Sequence, residues 1–188
     1  MMNDIMVDLE TLDNVATSAI VAIGAVQCDL TTGETGETFY RVVELEGQVE
    51  KGLTISAGTL YWWLEQSEQA RKEICSPRRI TLDQMCIKFN LWLQHLGNPS
   101  GLRMWGNGCS FDNAILRHAY RKCNQELGIK FWNDRDVRTL LGFYPKSMFE
   151  KWKKDNMRVG AHNAIQDCKY QVAYCSQICK DLGVKELG

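Results

Sequence analysis

The sequence predicts an α/β fold whose sheet is not uniformly parallel. Three observations carry this prediction. Runs of strand length and strand composition open the chain at residues 5–9, 19–28 and 38–43. The turn Thr31-Thr32-Gly33-Glu34, with Gly36 just beyond, separates the second run from the third. It is too short for a crossover, so these two strands form an antiparallel hairpin. Segments of helical spacing then alternate with further short strands, the pattern of helices packed on a mixed sheet.

Each element has its own signal. Residues 5–9 are a short apolar strand, and residues 19–28 are rich in Ile, Val and Ala. Residues 38–43, Thr-Phe-Tyr-Arg-Val-Val, favour a strand through their β-branched and aromatic side chains. A helix is predicted over residues 56–73, carrying Leu60, Trp63, Leu64 and Ala70. A second runs over 81–96, with Leu82, Met85, Cys86, Phe89, Leu93 and Leu96 on one side and Thr81 as its N-cap. Residues 102–105 make the fourth strand. The stripe Ile115, Leu116, Ala119, Tyr120 and Cys123 marks a helix over 112–123. A short segment at 136–141 precedes a basic stretch at 146–158. Asn163 followed by Gln166 resembles a capping box, so the last helix starts there and runs to residue 182, ended by Gly183. The three prolines, Pro77, Pro99 and Pro145, fall at element boundaries. No linker or repeat interrupts the chain, and residues 1–188 read as one domain.

The 188 residues carry 22 Lys+Arg and 23 Asp+Glu, a net charge of −1, which excludes a simple polybasic nucleic-acid binder and an acidic tail. The sum hides a split. Residues 1–70 hold 12 acids and only two bases, Arg41 and Lys51, giving −10; residues 71–188 hold 11 acids and 20 bases, giving +9. Such asymmetry hints at a charged ligand. The eight cysteines are scattered with no C-x-x-C pair, which argues against a disulfide scaffold and a zinc ribbon. Cys168, Cys175 and Cys179 share one helix face, as small core residues do. The start lacks a basic n-region and the longest apolar run, 19–26, is too short for a bilayer, so a soluble, cytoplasmic protein with no membrane partner is expected.

Three groups of residues carry chemistry. On the first strand, side chains alternate, so Ile5, Val7 and Leu9 face one way while Asp8 and Glu10 share the other. Two carboxylates on a buried face repel each other and lose solvation, and a divalent cation relieves both. A D-x-E pattern alone arises about once by chance in such a chain. The second group is Asp112, after the strand end and turn Trp105-Gly106-Asn107-Gly108-Cys109-Ser110-Phe111. It reads either as a helix cap or as a carboxylate thrown to the carboxyl end of the sheet, where α/β sites lie. The third is His162 with Asp167. On a single helix these two would point about 140° apart. With a helix start at Asn163, His162 instead sits on the preceding loop and Asp167 in the first turns.

Together, Asp8-Leu9-Glu10-Thr11-Leu12, Phe111-Asp112 and His162-Asn163-Ala164-Ile165-Gln166-Asp167 resemble the motifs of the DEDDh 3′–5′ exonucleases of the DnaQ-like superfamily, in the correct order and over nearly the whole chain. The segment from Thr59 to Arg71 looks like the phage and prophage branch that includes DexA and exodeoxyribonuclease VIII-type enzymes. The sequence is also similar to exoribonucleases related to ribonuclease T. The resemblance implies a ribonuclease H-like mixed sheet of five strands in the order 3-2-1-4-5, with helices on both faces. It implies Asp8, Glu10, Asp112 and Asp167 as ligands of two divalent ions, Mg²⁺ or Mn²⁺, and His162 as general base. Stepwise release of nucleoside 5′-monophosphates from nucleic-acid 3′ ends follows, from DNA in preference to RNA, while a homodimer is left open. In relatives, residues after D-x-E hold the terminal nucleotide, which places Thr11 and Leu12 there and Phe111 against the terminal sugar or base. Asn107 lies five residues before Asp112, one more than in proofreading-subunit relatives. Trp62 or Trp63 is a candidate stacking platform, and the basic stretch 146–158 a positive flank to an acidic cleft. A ribonuclease H-type endonuclease and a catalytically idle nucleic-acid-binding module are the other readings.

Overall fold

The computed structural model describes residues 2–157 and 163–187. Its centre is a six-stranded mixed sheet, β4-β3-β2-β1-β5-β6. The strands are β1 (Asp4–Thr11), β2 (Ile20–Asp29), β3 (Glu34–Val43), β4 (Arg79–Ile80), β5 (Arg103–Gly106) and β6 (Asp134–Asp136). β1, β2 and β3 form an antiparallel meander, whereas β5 lies parallel to β1, β6 parallel to β5 and β4 parallel to β3. The expected order thus holds for the five strands β3-β2-β1-β5-β6. A two-residue strand, β4, extends the β3 edge and makes six.

Among the described residues the α-helices are α1 (Glu46–Glu50), α2 (Ala57–Glu65), α3 (Glu68–Ile74), α4 (Leu82–His95), α5 (Asp112–Lys122), α6 (Val137–Gly142), α7 (Lys146–Asp155) and α8 (Ala164–Asp181). The single helix expected over 56–73 is two. Gln66 is extended, with ψ 166°, and Ser67 caps α3 by accepting from Ala70 N–H, so a second helix start interrupts the first. Thr81 and Gln84 form the reciprocal capping box at the start of α4. None of the described helices is long and apolar enough to cross a membrane.

Alternation along β1 divides the core. Ile5, Val7 and Leu9 pack with Met85, Phe89, Ile115 and Leu116 beneath α4 and α5. Met6, on the other face, packs with Val137, Cys168, Val172 and Cys175 beneath α6 and α8. All eight cysteines are free thiols. Burial pushes the thiols of Cys168 and Cys175 well up, as befits small core residues.

Two ion pairs fasten the β1 and β5 side of the sheet. Arg103 on β5 bonds both carboxylate oxygens of the buried Asp4 on β1, at 2.7 and 3.0 Å, and the Trp105 indole N–H donates to the same group at 2.8 Å. Arg117 on α5 grips Asp134 of β6 with two 2.7 Å bonds. Such bidentate pairs fix direction as well as distance. They hold β5, β6 and α5 in register with β1, which carries the first two acids.

Candidate active site

Asp8, Glu10 and Asp167 converge where β1 passes under the start of α8. One carboxylate oxygen from each lies within 4.8 Å of the other two. Asp8 and Glu10 share a face through strand alternation, as expected. Asp167 reaches them because Asn163 caps α8, accepting from Gln166 N–H at 3.1 Å, and sets its first turn against the sheet. That approach depends on Gly24 of β2, the register partner of Asp8. A Cβ at Gly24 would stand 2.6 Å from the Ala164 carbonyl carbon and 2.8 Å from Ile165 N. A glycine inside an otherwise apolar strand is the sequence signal of such close backbone approach, and Gly24 is missing from the candidates above.

Asp112 is the first residue of α5; Phe111 holds the N-cap position without a side-chain bond, so Asp112 is not the cap itself. Its Oδ1 accepts the Leu9 N–H of β1 at 3.1 Å, a bond that crosses from helix to strand. The Asn107 N–H also favours the charged form of this carboxylate. Gly106, at the end of β5, makes room: a Cβ there would lie 3.0 Å from Asp112 Cβ and 2.3 Å from Asn113 Oδ1. Asn113 secures the turn by donating to the Met104 carbonyl at 3.0 Å.

Asp8 and Asp112, buried close to other carboxylates, resist ionising. Burial, then the charges of Asp112, Glu10 and Asp167, push Asp8 well above the usual carboxylate range, with the Gln171 amide acting the other way. Burial raises Asp112 to about 7, against the pull of the Leu9, Asn107 and Asp112 N–H groups and of Arg138. Perturbation of this kind, in a cleft, is the electrostatic mark of a functional site. The cleft, of about 240 Å³, is lined by Asp8, Asn107, Leu141, Phe149, Asp167, Tyr170, Gln171 and Tyr174.

The remaining candidates surround this centre. Thr11 is buried; its hydroxyl donates to the Asp13 carbonyl at 2.9 Å, and its own carbonyl accepts the Trp63 indole N–H at 2.9 Å. Leu12 and Trp63 are buried together with Val21 and Ala70. Trp63 therefore supports the Thr11 peptide from below, while Trp62, 42% exposed, stands edge-on to it with ring centroids 5.0 Å apart. Phe111 is half-buried against the core under α5. The basic stretch forms α7, which docks on α8 through Phe149, Trp152, Tyr170 and Tyr174. Lys146, Lys151 and Lys154 are exposed there, and Lys153 pairs with Glu150 at 2.7 Å. His162 and Arg158 lie outside the described residues.

The model of the Rv2179c-like family, described as a 3′–5′ exoribonuclease domain, matches residues 3–179. The chain belongs to this family. The matched span includes Asp8, Glu10, Asp112, His162 and Asp167. An exodeoxyribonuclease of Enterobacteria phage T4 is 29% identical over 160 residues, covering 73% of this chain and 70% of the phage protein. Among solved structures, the zinc-bound complex of E. coli ExoI with single-stranded DNA superposes with a TM-score of 0.71 at 12% identity. It covers 96% of this chain, and the chain spans 41% of that one. The nuclease domain of 3′hExo, a DEDDh family member bound to rAMP, gives a TM-score of 0.65 at 16% identity, covering 95% of this chain and 92% of that one. At these identities the structures show a shared exonuclease fold.

Proposed function

We propose that the chain is a metal-dependent 3′–5′ exonuclease that releases nucleoside 5′-monophosphates, from DNA in preference to RNA. The observation that carries this reading is the convergence of Asp8, Glu10 and Asp167, with Asp112 tied to Leu9 beside them, in a domain of an exonuclease family. Three oxygen donors within 4.8 Å and raised carboxylate pKa values suit hard divalent cations such as Mg²⁺ or Mn²⁺. Asp8, Glu10, Asp112 and Asp167 would hold two of them, and when bound such ions supply charge stabilisation to a phosphodiester under attack.

The chain's own residues supply the rest. Hydrolysis adds water across the P–O3′ bond: the water oxygen joins phosphorus, the 3′ oxygen departs with its electron pair, and the water's proton goes to the His162 imidazole. An imidazole titrates near neutrality, which suits a general base. The Thr11 peptide, held by Trp63, and Leu12 and Phe111 border the terminal nucleotide, and Asn107 reaches the same cleft. Trp62 offers an open ring for stacking, which tolerates any base. The α7 lysines flank the cleft for phosphate contacts.

Similarity to the phage exodeoxyribonuclease favours DNA. The family description favours the second reading, a 3′–5′ exoribonuclease of the same fold. Degradation of 5′-labelled DNA and RNA oligonucleotides of one sequence, each with excess Mg²⁺, tests the choice. Faster shortening of the DNA strand supports the first reading; faster shortening of the RNA strand replaces it with the second.

A further inference from the structure

We propose that Gln171 is a positioning residue that holds Asp8 in the orientation needed to receive divalent ions. The inference rests on the exonuclease reading. Gln171 follows Asp167 by one helical turn on α8, so both side chains descend onto the same part of β1. It is 4% exposed, and its Nε2 donates to Asp8 Oδ1 at 2.9 Å. The orientation of the amide is fixed by chemistry. With Asp8 ionised, as ligation of a cation requires, the opposite flip would set a carbonyl oxygen against a carboxylate, two acceptors with no proton between them.

Asp8 needs such a tether. It is the least buried of the four acids and is repelled by Asp112, Glu10 and Asp167 at once. Untethered, its two side-chain torsions would let it relieve that repulsion by turning toward solvent. The Gln171 N–H holds Oδ1 in place and leaves Oδ2 for the ions. A neutral donor suits this task better than Lys or Arg, whose charge would compete with a cation for the same oxygen. The amide sits there at a cost: Gln171 Oε1 is buried with no hydrogen-bond partner among the described residues. A buried acceptor without a donor weakens a fold, so packing alone would be served better by an apolar side chain. Groups that orient a metal's ligands commonly matter tenfold or more to metal affinity.

The test compares wild type with Gln171→Leu, which keeps the bulk and removes the donor. Mn²⁺ affinity is measured by calorimetry without nucleic acid, and melting temperature in EDTA. We expect Gln171→Leu to bind Mn²⁺ about tenfold more weakly, with a melting temperature no lower than wild type. The Mn²⁺ concentration for half-maximal oligonucleotide cleavage should rise, with the rate recovering at saturating Mn²⁺. Equal Mn²⁺ affinity in the two proteins would overturn the role of Gln171 alone. A wild type that binds no Mn²⁺ would overturn the exonuclease reading and this inference with it. If Gln171→Leu does not fold, Gln171→Met repeats the comparison, and failure of both to fold in EDTA would show a structural residue and overturn the proposal.

Discussion

Asp112 shows how much one residue can be asked to do. Its carboxylate is buried, joins the first turn of α5 to β1, and has its pKa raised to about 7. A group whose folded pKa exceeds its unfolded value of about 4 binds its proton more tightly in the folded state. Its contribution to the stability of the metal-free protein is complete below about pH 4 and is lost as pH rises through about 7. Asp8 shifts the same way. The melting temperature in EDTA should therefore fall between pH 5 and pH 8, and the fall should be smaller in Asp112→Asn. An equal fall in both proteins would contradict this cause. Mn²⁺ at pH 8 should restore the lost stability, because it binds the ionised carboxylates. Asp167→Asn should keep the fold and lose more than about 100-fold in cleavage rate, beyond the usual cost of altering a residue that merely orients a ligand. Asp8, Glu10, Asp112 and Asp167 were legible in the sequence through strand alternation and motif order. Gln171 was not, because its partner lies 163 residues away and nothing local marks a glutamine as a tether.

At the scale of elements, the site is the meeting of β1 with the first turns of α5 and α8. Gly24 sets how closely α8 can lie. Gly24→Ala would force a Cβ against the Ala164 and Ile165 backbone, which has no flexible end to move. We expect a loss of about 1–3 kcal/mol or more in stability, typical of overpacking, and weaker Mn²⁺ binding as Asp167 is displaced. Unchanged melting and Mn²⁺ affinity would contradict the docking role. The carbonyl of the peptide that ends β1, that of Thr11, accepts the Trp63 indole N–H. Trp63→Phe leaves the Thr11 carbonyl buried without that donor and should cost about 1–3 kcal/mol by denaturant unfolding. The strands and most helices were legible from their patterns, and the caps at Thr81 and Asn163 from their spacing. The break at Ser67 was not, because the apolar residues of α2 and α3 continue one pattern through a new cap. β4 was also missed, since two residues carry no periodicity.

For the whole molecule, the division into −10 and +9 parts acquires a location. β1, from the acidic part, supplies Asp8 and Glu10; α5 and α8, from the basic part, supply Asp112 and Asp167. The site therefore joins both parts. α7, which carries the exposed Lys146, Lys151 and Lys154, borders it through Phe149. Net charge near zero accordingly says little about affinity for a polyanion when the cations are gathered on one flank. Metal-dependent exonuclease activity is tested most directly by cleavage of a 5′-labelled, 3′-hydroxyl oligonucleotide with Mg²⁺ or with EDTA. A metal-dependent 3′–5′ exonuclease gives a ladder shortening one nucleotide at a time from the 3′ end, with nucleoside 5′-monophosphate as product, and no cleavage in EDTA. Full activity in EDTA, or a single internal cut in place of the ladder, would contradict this reading.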